Sequence, residues 1–295
     1  MMTMIDIRDL QVFLSVSRHL NFTRAGEELH LSQPSVSVRI AALQRELGSK
    51  LFEQIGKRIV LTEAGQVLIP YATKVVAALD DAHHAIAELQ GLQRGSLSIG
   101  ASTTPGMYVL PRVIAEFKRL HPQIEVRLRI RDTHQIEDAV AANEFDFGFV
   151  GGHLSGSEVE VLPWRTDRIV LIVAPKHRLA HRRSIKPQEL ESESFLLRET
   201  GSATRAAIAG HLDKNGVQLS ASAEMENPES IKRAVQSGLG IAFISSFAVE
   251  TELKNRSLIA VRVSGLDIKR ELKIVYRKEK HLSKSAKELI RLARG

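Results

Sequence analysis

The segment from Phe22 to Gly65 constrains the fold of this chain more than any other stretch of its 295 residues. Thr23 can cap a helix that runs to about Leu29, and Ser32 offers a second helix start. Their hydroxyls can accept the free N–H groups of a first helical turn. Pro34 falls inside the first turn of the second helix, where the missing N–H of proline costs nothing. The segment therefore predicts two short helices joined by a tight turn.

The second helix should have one apolar stripe, closed by a glycine. Gly48 predicts a left-handed helix end. Beyond it, Lys57 and Arg58 lie on the turn of a predicted β-hairpin, or wing. The stripe consists of apolar residues at helical spacing that we expect to face a domain core: Val36, Ile40, Leu43 and Leu47.

The opposite face of this helix suits contact with the bases of DNA. It begins with Gln33, Ser35, Ser37 and Arg39. In a helix-turn-helix, the first residues of the second helix point at base edges in the major groove. Glutamine suits adenine there, and serine can serve either base type. The alternative is a solvated polar face on an ordinary helical hairpin, but caps, stripe, turn and wing together favour a winged helix-turn-helix. Lys57 and Arg58 are then placed to reach a phosphate or the minor groove.

A specific set of residues in this region resembles the LysR-type transcriptional regulators. The resemblance continues through the rest of the chain and implies a DNA-binding regulator. To the predicted DNA-contacting set we therefore add Thr23, Ser32, Pro34, Val38 and Gln54. The matching residues are Phe13, Ser17, Ala25, Leu29, LSQPSVS (Leu31 to Ser37), Ile40, Leu43, Leu47-Gly48, LFE (Leu51 to Glu53) and LTEAG (Leu61 to Gly65).

Composition excludes several classes of protein. The chain has no cysteine, so disulfides, thiol catalysis and Cys-ligated zinc are ruled out. No signal peptide is recognisable, no apolar run approaches the ~18 residues of a membrane span, and the histidines show no metal-site spacing. We expect a cytoplasmic protein with no cofactor, no metal and no membrane partner. The net charge of +7 is not itself evidence for DNA binding, because residues 1–94 carry ten basic and ten acidic side chains.

Residues 63–94 read as one long linker helix between the domain at 1–62 and the rest of the chain. Its apolar residues alternate at spacings of four and three over three heptads, a narrow seam that suits a partner helix. The alternative is a helix lying on its own domain. The resemblance implies a homodimer through this helix, an interrupted inverted repeat as the DNA site, and a homotetramer; RNA polymerase is a further possible partner. Gly91 and Gly95 predict a flexible exit. The seam comprises Leu68, Ala72, Val75, Leu79, Ala82, Ile86 and Leu89.

Residues 95–295 alternate strands and helices, which predicts parallel sheets with helices on both faces. The overall fold class is thus α/β with an N-terminal, all-α winged helix-turn-helix. The resemblance implies a type II periplasmic-binding-protein-like effector domain with two lobes, about 95–164 with 267–295, and about 165–266. We expect the chain to cross between lobes near Pro163–Thr166, with a strand starting at Arg168, and to return near Gly265–Ile268.

Two predicted strand ends carry matching hydroxyl chemistry. In open α/β sheets, ligands bind beyond the C-terminal strand ends, and free N–H groups at helix starts attract anions. Ordinary helix capping is the alternative at either place alone. Together they predict a site for a small anionic effector. Its predicted residues are Ser102, Thr103, Thr104, Thr133, Val150, Gly151, Gly201, Ser202, Thr204 and Glu226.

The hydroxyl-rich turn at Ser102–Thr104 is similar to that of LysR-type sensors of sulfur oxyanions or carbon-fixation metabolites. A sulfur oxyanion or a small phosphorylated or carboxylated acid is therefore the expected effector. Two other classes of protein fit the sequence less well than a regulator. A solute-binding protein would leave the winged helix unexplained, and an enzyme would need a nucleophile–base set, metal motif or nucleotide loop that the sequence does not display.

Overall fold

The computed structural model describes residues 5–56, 58–89, 95–154, 156–217, 221–278 and 280–295. The chain divides into two compact units, Met1–Leu89 and Gln90–Gly295. The predicted DNA contact of Lys57 and the predicted flexible glycine at Gly91 lie outside the described residues. The finer division at residues 62/63 and 94/95 stays a prediction.

The first unit packs three helices, a two-stranded wing and the start of a long helix around one core. Phe13, Val36, Leu43 and Leu51 are almost completely buried in it. The two strands of the wing pair antiparallel. The elements are α1 (Ile7–His19), α2 (Phe22–Leu29), α3 (Gln33–Leu47), β1 (Phe52–Ile55), β2 (Arg58–Leu61) and α4 (Glu63–Leu89).

The caps of this unit confirm one predicted helix start and correct another. Ser32 caps α3, accepting the Ser35 N–H at 3.3 Å, and Gly48 ends it with a φ of 64°. For α2, however, the cap is Asn21, whose side chain accepts the N–H groups of Thr23 and Arg24. Helix α2 begins at Phe22, so Thr23 already lies inside its first turn.

The apolar stripe of α3 also ends earlier than predicted. Val36, Ile40 and Leu43 are buried, but Leu47 is 37% exposed. Leu47 is the last helical residue before Gly48, where the chain turns away from the core.

Helix α4 divides its apolar residues between two faces. Leu68 and Ala72, which we predicted to face a partner, instead pack into the core of the first unit. They do so because the first turns of α4 complete that core. An apolar face of α4 stays exposed. It includes two residues of the predicted seam, Val75 and Ile86, together with Val67 and Tyr71, which the prediction did not include.

The second unit consists of two lobes joined by two long strands, β6 (Val159–Val173) and β11 (Lys269–Arg277). Gly95, predicted as part of a flexible exit, is instead the first residue of β3 and pairs with Ile124. The first lobe contains β3 (Gly95–Ala101), a π-helical turn (Pro105–Val109) that continues as α5 (Leu110–Leu120), β4 (Ile124–Ile130), α6 (Thr133–Ala141), β5 (Phe147–Gly151) and α10 (Lys284–Arg294). The second lobe contains a 3-10 turn (Pro187–Leu190), β7 (Phe195–Arg198), α7 (Ala203–Asp213), β8 (Ala221–Met225), α8 (Pro228–Gln236), β9 (Ala242–Ser245), a 3-10 turn (Ser246–Ala248), α9 (Glu250–Lys254) and β10 (Ile259–Val261).

The sheets are mixed, which corrects the prediction of parallel sheets. Strand β3 pairs parallel with β4 and β5, and β7 pairs parallel with β8. Strands β6 and β11 run antiparallel because one leaves the first lobe and the other returns to it. The strand expected to start at Arg168 is therefore the continuation of β6. Residues 169–173 of β6 pair with β9 and β10 of the second lobe.

Each lobe has its own core, in which phenylalanine rings pack among aliphatic side chains. Phe117, Phe147 and Phe149 are fully buried in the first lobe. In the second lobe the rings of Phe195 and Phe243 stack with centroids 5.9 Å apart. No helix within the described residues has the length and apolarity to span a bilayer.

We expect Gly65→Ala to destabilise the first unit. A Cβ at Gly65 would lie 2.3 Å from the Leu51 carbonyl oxygen and 2.6 Å from Leu61 Cδ2. Relieving this overlap requires moving α4 away from the wing, at a cost of about 1–3 kcal/mol. Thermal unfolding followed by circular dichroism measures the loss.

Gly210→Ala is the matched control, because Gly210 is an exposed helical residue with nothing within 4 Å of the added Cβ. It should be neutral or stabilise the chain by up to about 1 kcal/mol. Equal unfolding midpoints for the two variants would show that the close packing around Gly65 does not prevent the first unit from accommodating a Cβ there.

Candidate functional site

The start of α3 presents an ordered polar surface. Gln33 and Ser35 are exposed, and Ser37 is half-buried. The Ser32 and Ser35 hydroxyls are 2.8 Å apart, and Gln33 Nε2 donates to Ser37 Oγ at 2.9 Å. These bonds hold the polar side chains in one arrangement while leaving them accessible, as base readout requires.

Val38 and Arg39 differ in how available they are to DNA. Val38 is 68% exposed, and Pro34 is exposed too, so both offer apolar contact to a groove. Arg39 is engaged within its own unit, 2.7 Å from Asp9 and 3.5 Å from Asp6. The hydrogen bond to Asp9 raises the pKa of Arg39, although burial opposes it. Arg39 therefore ties α3 to α1, and its predicted contact with DNA stays a prediction.

The wing and the start of α2 supply the remaining predicted DNA contacts. Gln54 Nε2 donates to the Gly56 carbonyl at 2.9 Å, which closes the hairpin turn. Gly56 occupies the left-handed region with a φ of 63°. Arg58 and Thr23 are exposed.

In the second unit, a cleft of about 590 Å³ lies between the two lobes. Its lining comes from both lobes and from the crossing strand β11. The loops expected to form one site thus do meet. Eight of the ten predicted effector residues line it: Ser102, Thr103, Thr104, Thr133, Gly201, Ser202, Thr204 and Glu226.

The other two predicted residues, Val150 and Gly151, are not part of this lining. Val150 is fully buried in the first lobe beside Ile136 and Phe145, because strand alternation turns its side chain into the core. The Gly151 N–H donates to Ser102 Oγ at 3.1 Å, and its carbonyl accepts from Thr133 Oγ1 at 2.8 Å. Gly151 therefore holds two lining hydroxyls in place.

The second-lobe wall of the cleft is the beginning of α7. Ser202 is its N-cap residue, but its side chain makes no capping hydrogen bond. The first intrahelical backbone bond runs from Ala206 to Ser202, so the preceding N–H groups have no helical acceptor. Across the cleft, Thr103 presents a hydroxyl for which the described residues provide no hydrogen-bond partner. Free amides, a helix dipole and hydroxyls are suited to an anion.

Net charge does not by itself make this cleft attractive to an anion. Its lining includes three arginines, Arg131, Arg198 and Arg270, and four acidic residues, Asp132, Asp138, Glu199 and Glu226. Several of these charges are locally paired. Arg198 forms a bidentate pair with Glu199, with both distances 2.6 Å. Arg131 lies 3.3 Å from Glu144. Attraction must therefore come from individual donors, not from the summed field.

Arg270 is the main lining residue absent from the sequence-based set. Its Nε donates to Asp167 Oδ2 at 2.8 Å, and its Nη2 donates to Thr104 Oγ1 at 2.9 Å. Asp167 also accepts from Ser245 Oγ at 2.7 Å. Burial lowers the pKa of Arg270, although Asp167 opposes this shift. The sequence signal that could have identified Arg270 is a pair of opposite charges, Asp167 and Arg270, just beyond the two predicted crossing points. These residues are register partners on β6 and β11.

A second polar bridge joins the lobes behind the hydroxyl turn. Tyr108, on the π-helical turn of the first lobe, donates to Glu229 Oε1 of α8 at 2.7 Å. Lys232 Nζ lies 2.7 Å from Glu229 and 2.8 Å from Glu252. Although burial of Glu229 acts in the opposite direction, the hydrogen bonds from Lys232 and Tyr108 lower its pKa. Burial, reinforced by the bond to Glu229, raises the pKa of Tyr108.

Both units match known families of sequence. Residues 7–66 match the family described as bacterial regulatory helix-turn-helix protein, lysR family, and residues 90–295 match the LysR substrate binding domain. The chain is 36% identical over 282 residues to the RuBisCO operon transcriptional regulator of Allochromatium vinosum, covering 96% of this chain and 93% of that relative.

Within the described residues, no cluster of three or more His, Asp and Glu side chains suits a metal ion.

Solved structures show the same fold. A full-length OxyR variant from Pseudomonas aeruginosa covers 99% of this chain and 95% of its own, with 22% identity and a TM-score of 0.79. The regulatory domain of Synechocystis PCC6803 CcmR, solved in complex with 2-phosphoglycolate, covers 68% of this chain and 96% of its own. Its identity is 28% and its TM-score 0.63.

Glu229→Gln should lower the unfolding midpoint at pH 7, and the decrease relative to the parent chain should become smaller as the pH falls. A depressed folded-state pKa means that the ionised carboxylate contributes stability above its unfolded-state pKa near 4.5, and that this contribution is lost as the pH falls through the folded value. Differential scanning calorimetry from pH 7 downward measures the difference from the parent chain.

The exposed Glu160 supplies the control substitution Glu160→Gln, which should change the midpoint little at any pH. A difference for Glu229→Gln that stays constant as the pH falls would mean that the interlobe bridge does not depend on the Glu229 charge.

Proposed function

Because the chain belongs to the LysR family of DNA-binding transcriptional regulators, we propose that its interlobe cleft binds a small phosphorylated or carboxylated acid that controls its action at a promoter. The observation that carries this proposal is the convergence, in one cleft, of the α7 helix start, the Thr103 hydroxyl and buried guanidinium groups. The proteins with which it shares a family are regulators of transcription, and its own role is regulatory, not enzymatic.

Two comparisons support a carbon-fixation metabolite over a sulfur oxyanion. One relative regulates a RuBisCO operon, and the CcmR regulatory domain has been solved with 2-phosphoglycolate. That molecule carries a phosphoryl group and a carboxylate, and so suits a cleft whose donors lie on two walls. Sulfate and sulfite offer one anionic group each, and serve as the competing ligands in the test below.

The exposed apolar face of α4 supports our proposal that the chain binds DNA as a homodimer. Val67, Tyr71, Val75 and Ile86 lie on one side of this helix, and a partner copy of α4 would bury them. A two-fold dimer presents two copies of α3, so the operator should be an interrupted inverted repeat. We further propose a homotetramer, contact with RNA polymerase, and action in the cytoplasm, where the bacterial chromosome lies.

A thermal-shift screen of the full chain tests the effector proposal. The ligands are 2-phosphoglycolate, ribulose bisphosphate, phosphoenolpyruvate, phosphate, sulfate and sulfite. A ligand at a hundred times its Kd adds about 2.7 kcal/mol to the free energy of unfolding. That corresponds to several degrees, at roughly 2–4 °C per kcal/mol. We expect 2-phosphoglycolate to give a shift that Thr103→Ala and Ser202→Ala reduce.

Thr251→Ala removes an exposed hydroxyl on α9, away from the cleft lining, and should leave the shift unchanged. If none of the six ligands raises the midpoint of the parent chain, the proposed effector class is wrong. A shift with sulfate or sulfite alone would transfer the assignment to sulfur oxyanions.

Gln33→Ala should weaken binding to an operator fragment selected from random DNA. A base contact of this type contributes about 1–3 kcal/mol. Because Gln33 is predicted to read a base and not a phosphate, the dependence of log Kd on log salt concentration should keep its slope, whereas Arg58→Ala should reduce the slope by roughly 1. Fluorescence anisotropy across a salt series measures both quantities.

Gln188→Ala, in the second unit, is the control for an exposed glutamine and should leave DNA affinity unchanged. A normal affinity for Gln33→Ala would remove this residue from the base-reading surface.

A further inference from the structure

Two buried guanidinium groups in the cleft, those of Arg198 and Arg270, have hydrogen-bond donors that no protein acceptor uses among the described residues. A guanidinium has five N–H donors. Arg270 uses Nε and Nη2 on Asp167 and Thr104, and Arg198 uses Nε and Nη2 on Glu199. In the part of the chain that the structure describes, neither Nη1 group has an acceptor. Both side chains are more than nine-tenths buried, and both line the cleft.

The surroundings of Arg270 favour a fixed position for its side chain. Asp167 is completely buried, and its other carboxylate oxygen accepts a hydrogen bond from Ser245. Because the Asp167 carboxylate is fixed in this way, it also fixes the guanidinium of Arg270. Gly151 lies next to the guanidinium, since a Cβ built there would be in van der Waals contact with Nη1 at 3.5 Å. Arg270 is thus a rigid donor on a crossing strand, with one edge against Asp167 and Thr104.

Arg198 approaches the same region from the second lobe. It is the last residue of β7, and the Arg205 side chain donates to its carbonyl at 2.8 Å. Its charge lies close enough to contribute to the lowered pKa of Arg270. Two cations that repel each other, each with an unused Nη1, can be satisfied together by one group with several acceptor oxygens and more than one negative charge.

We propose that Arg198 and Arg270 form the subsite that selects a tetrahedral dianion, phosphoryl or sulfuryl, in preference to a carboxylate. This proposal rests on the proposed function of the cleft and names the chemical group that it recognises. A planar carboxylate carries a single charge and holds its two oxygens in one plane. A tetrahedral dianion carries two charges to offset the two cations, and its oxygens point in several directions, so it can accept from guanidinium groups that approach from different lobes. The carboxylate of a two-ended effector is left to the Thr103 hydroxyl and the α7 helix start.

Isothermal titration calorimetry on the full chain tests this assignment with four probes: 2-phosphoglycolate, inorganic phosphate, sulfate and glycolate. Glycolate keeps the carboxylate but lacks the tetrahedral group. We expect Arg270→Lys and Arg198→Lys each to raise the Kd for 2-phosphoglycolate about 10- to 100-fold, since lysine keeps the charge but not the fork. The Kd values for whichever of phosphate and sulfate binds the parent chain should rise in parallel, and that for glycolate should not change.

The double variant Arg198→Lys/Arg270→Lys supplies a test of shared contact. If both arginines bind one group, its loss of affinity is smaller than the product of the two single losses. Arg165→Lys is the matched control, because Arg165 donates to the Ala293 carbonyl outside the cleft. It should leave every Kd within twofold of the parent value.

The outcomes separate this proposal from the function on which it rests. Failure of the parent chain to bind any of these four probes, together with a thermal-shift screen in which none of the six ligands acts, rejects both. Binding of 2-phosphoglycolate that survives both single substitutions within twofold rejects the arginine subsite alone, and an equal loss for glycolate shows a carboxylate contact and overturns the preference for a tetrahedral group. If Arg270→Lys fails to fold, Arg270→Gln with Asp167→Asn preserves the net charge and replaces it, with the same expected loss.

Discussion

The antiparallel pairing of β6 with β11 is the constraint on which the second unit depends. These two strands carry the chain out of the first lobe and back, and they pair from Val159–Arg277 to Arg168–Lys269, with one shift of register between Leu272 and Lys273. The ion pair between Asp167 and Arg270 lies near the second-lobe end of this register. A buried pair of this kind needs every polar atom satisfied, because an unpaired charge in a protein interior is costly. Ser245 and Thr104 supply two of the needed partners, and they come from different lobes.

The cleft inherits its geometry from this crossing. Thr104 sits in the hydroxyl turn, so any change in that turn acts directly on Arg270, and through Asp167 on the end of β9. The Tyr108–Glu229 contact forms a second connection on the same π-helical turn. Some side chains that line the cleft therefore also make the contacts that set the position of the lobes. A ligand can shift an equilibrium between two positions of the lobes only as far as its affinities for them differ. Residues that line the cleft and also join the lobes, such as Thr104 and Arg270, are where that difference can arise.

Sequence patterns predicted most of this architecture where local chemistry decides structure. Ser32, Pro34 and Gly48 act through their own backbone, and the start and end of α3 followed from them. Eight residues that line the cleft were predicted because strand ends and helix starts have a recognisable composition. Errors arose where tertiary packing decides. The apolar residues of α4 serve both the core and an exposed face, and helical spacing alone cannot assign Leu68 to one of them. Arg270 was missed because nothing local distinguishes a buried arginine in a strand from a solvated one; its significance lies in pairing with Asp167, 103 residues away.

The π-helical turn at Pro105–Val109 places a limit on how this chain can vary in length. In this turn the Leu110 N–H reaches back five residues to the Pro105 carbonyl, one residue more than in an α-helix. Deleting a single residue here would restore α-helical spacing but rotate everything before or after it by about 100°. Tyr108 and the hydroxyl turn would then no longer face Glu229 and the cleft together. Substitutions in this segment can be absorbed one at a time, whereas insertions and deletions cannot, so the number of residues between Ser102 and Leu110 should be more constant among close relatives than their identities.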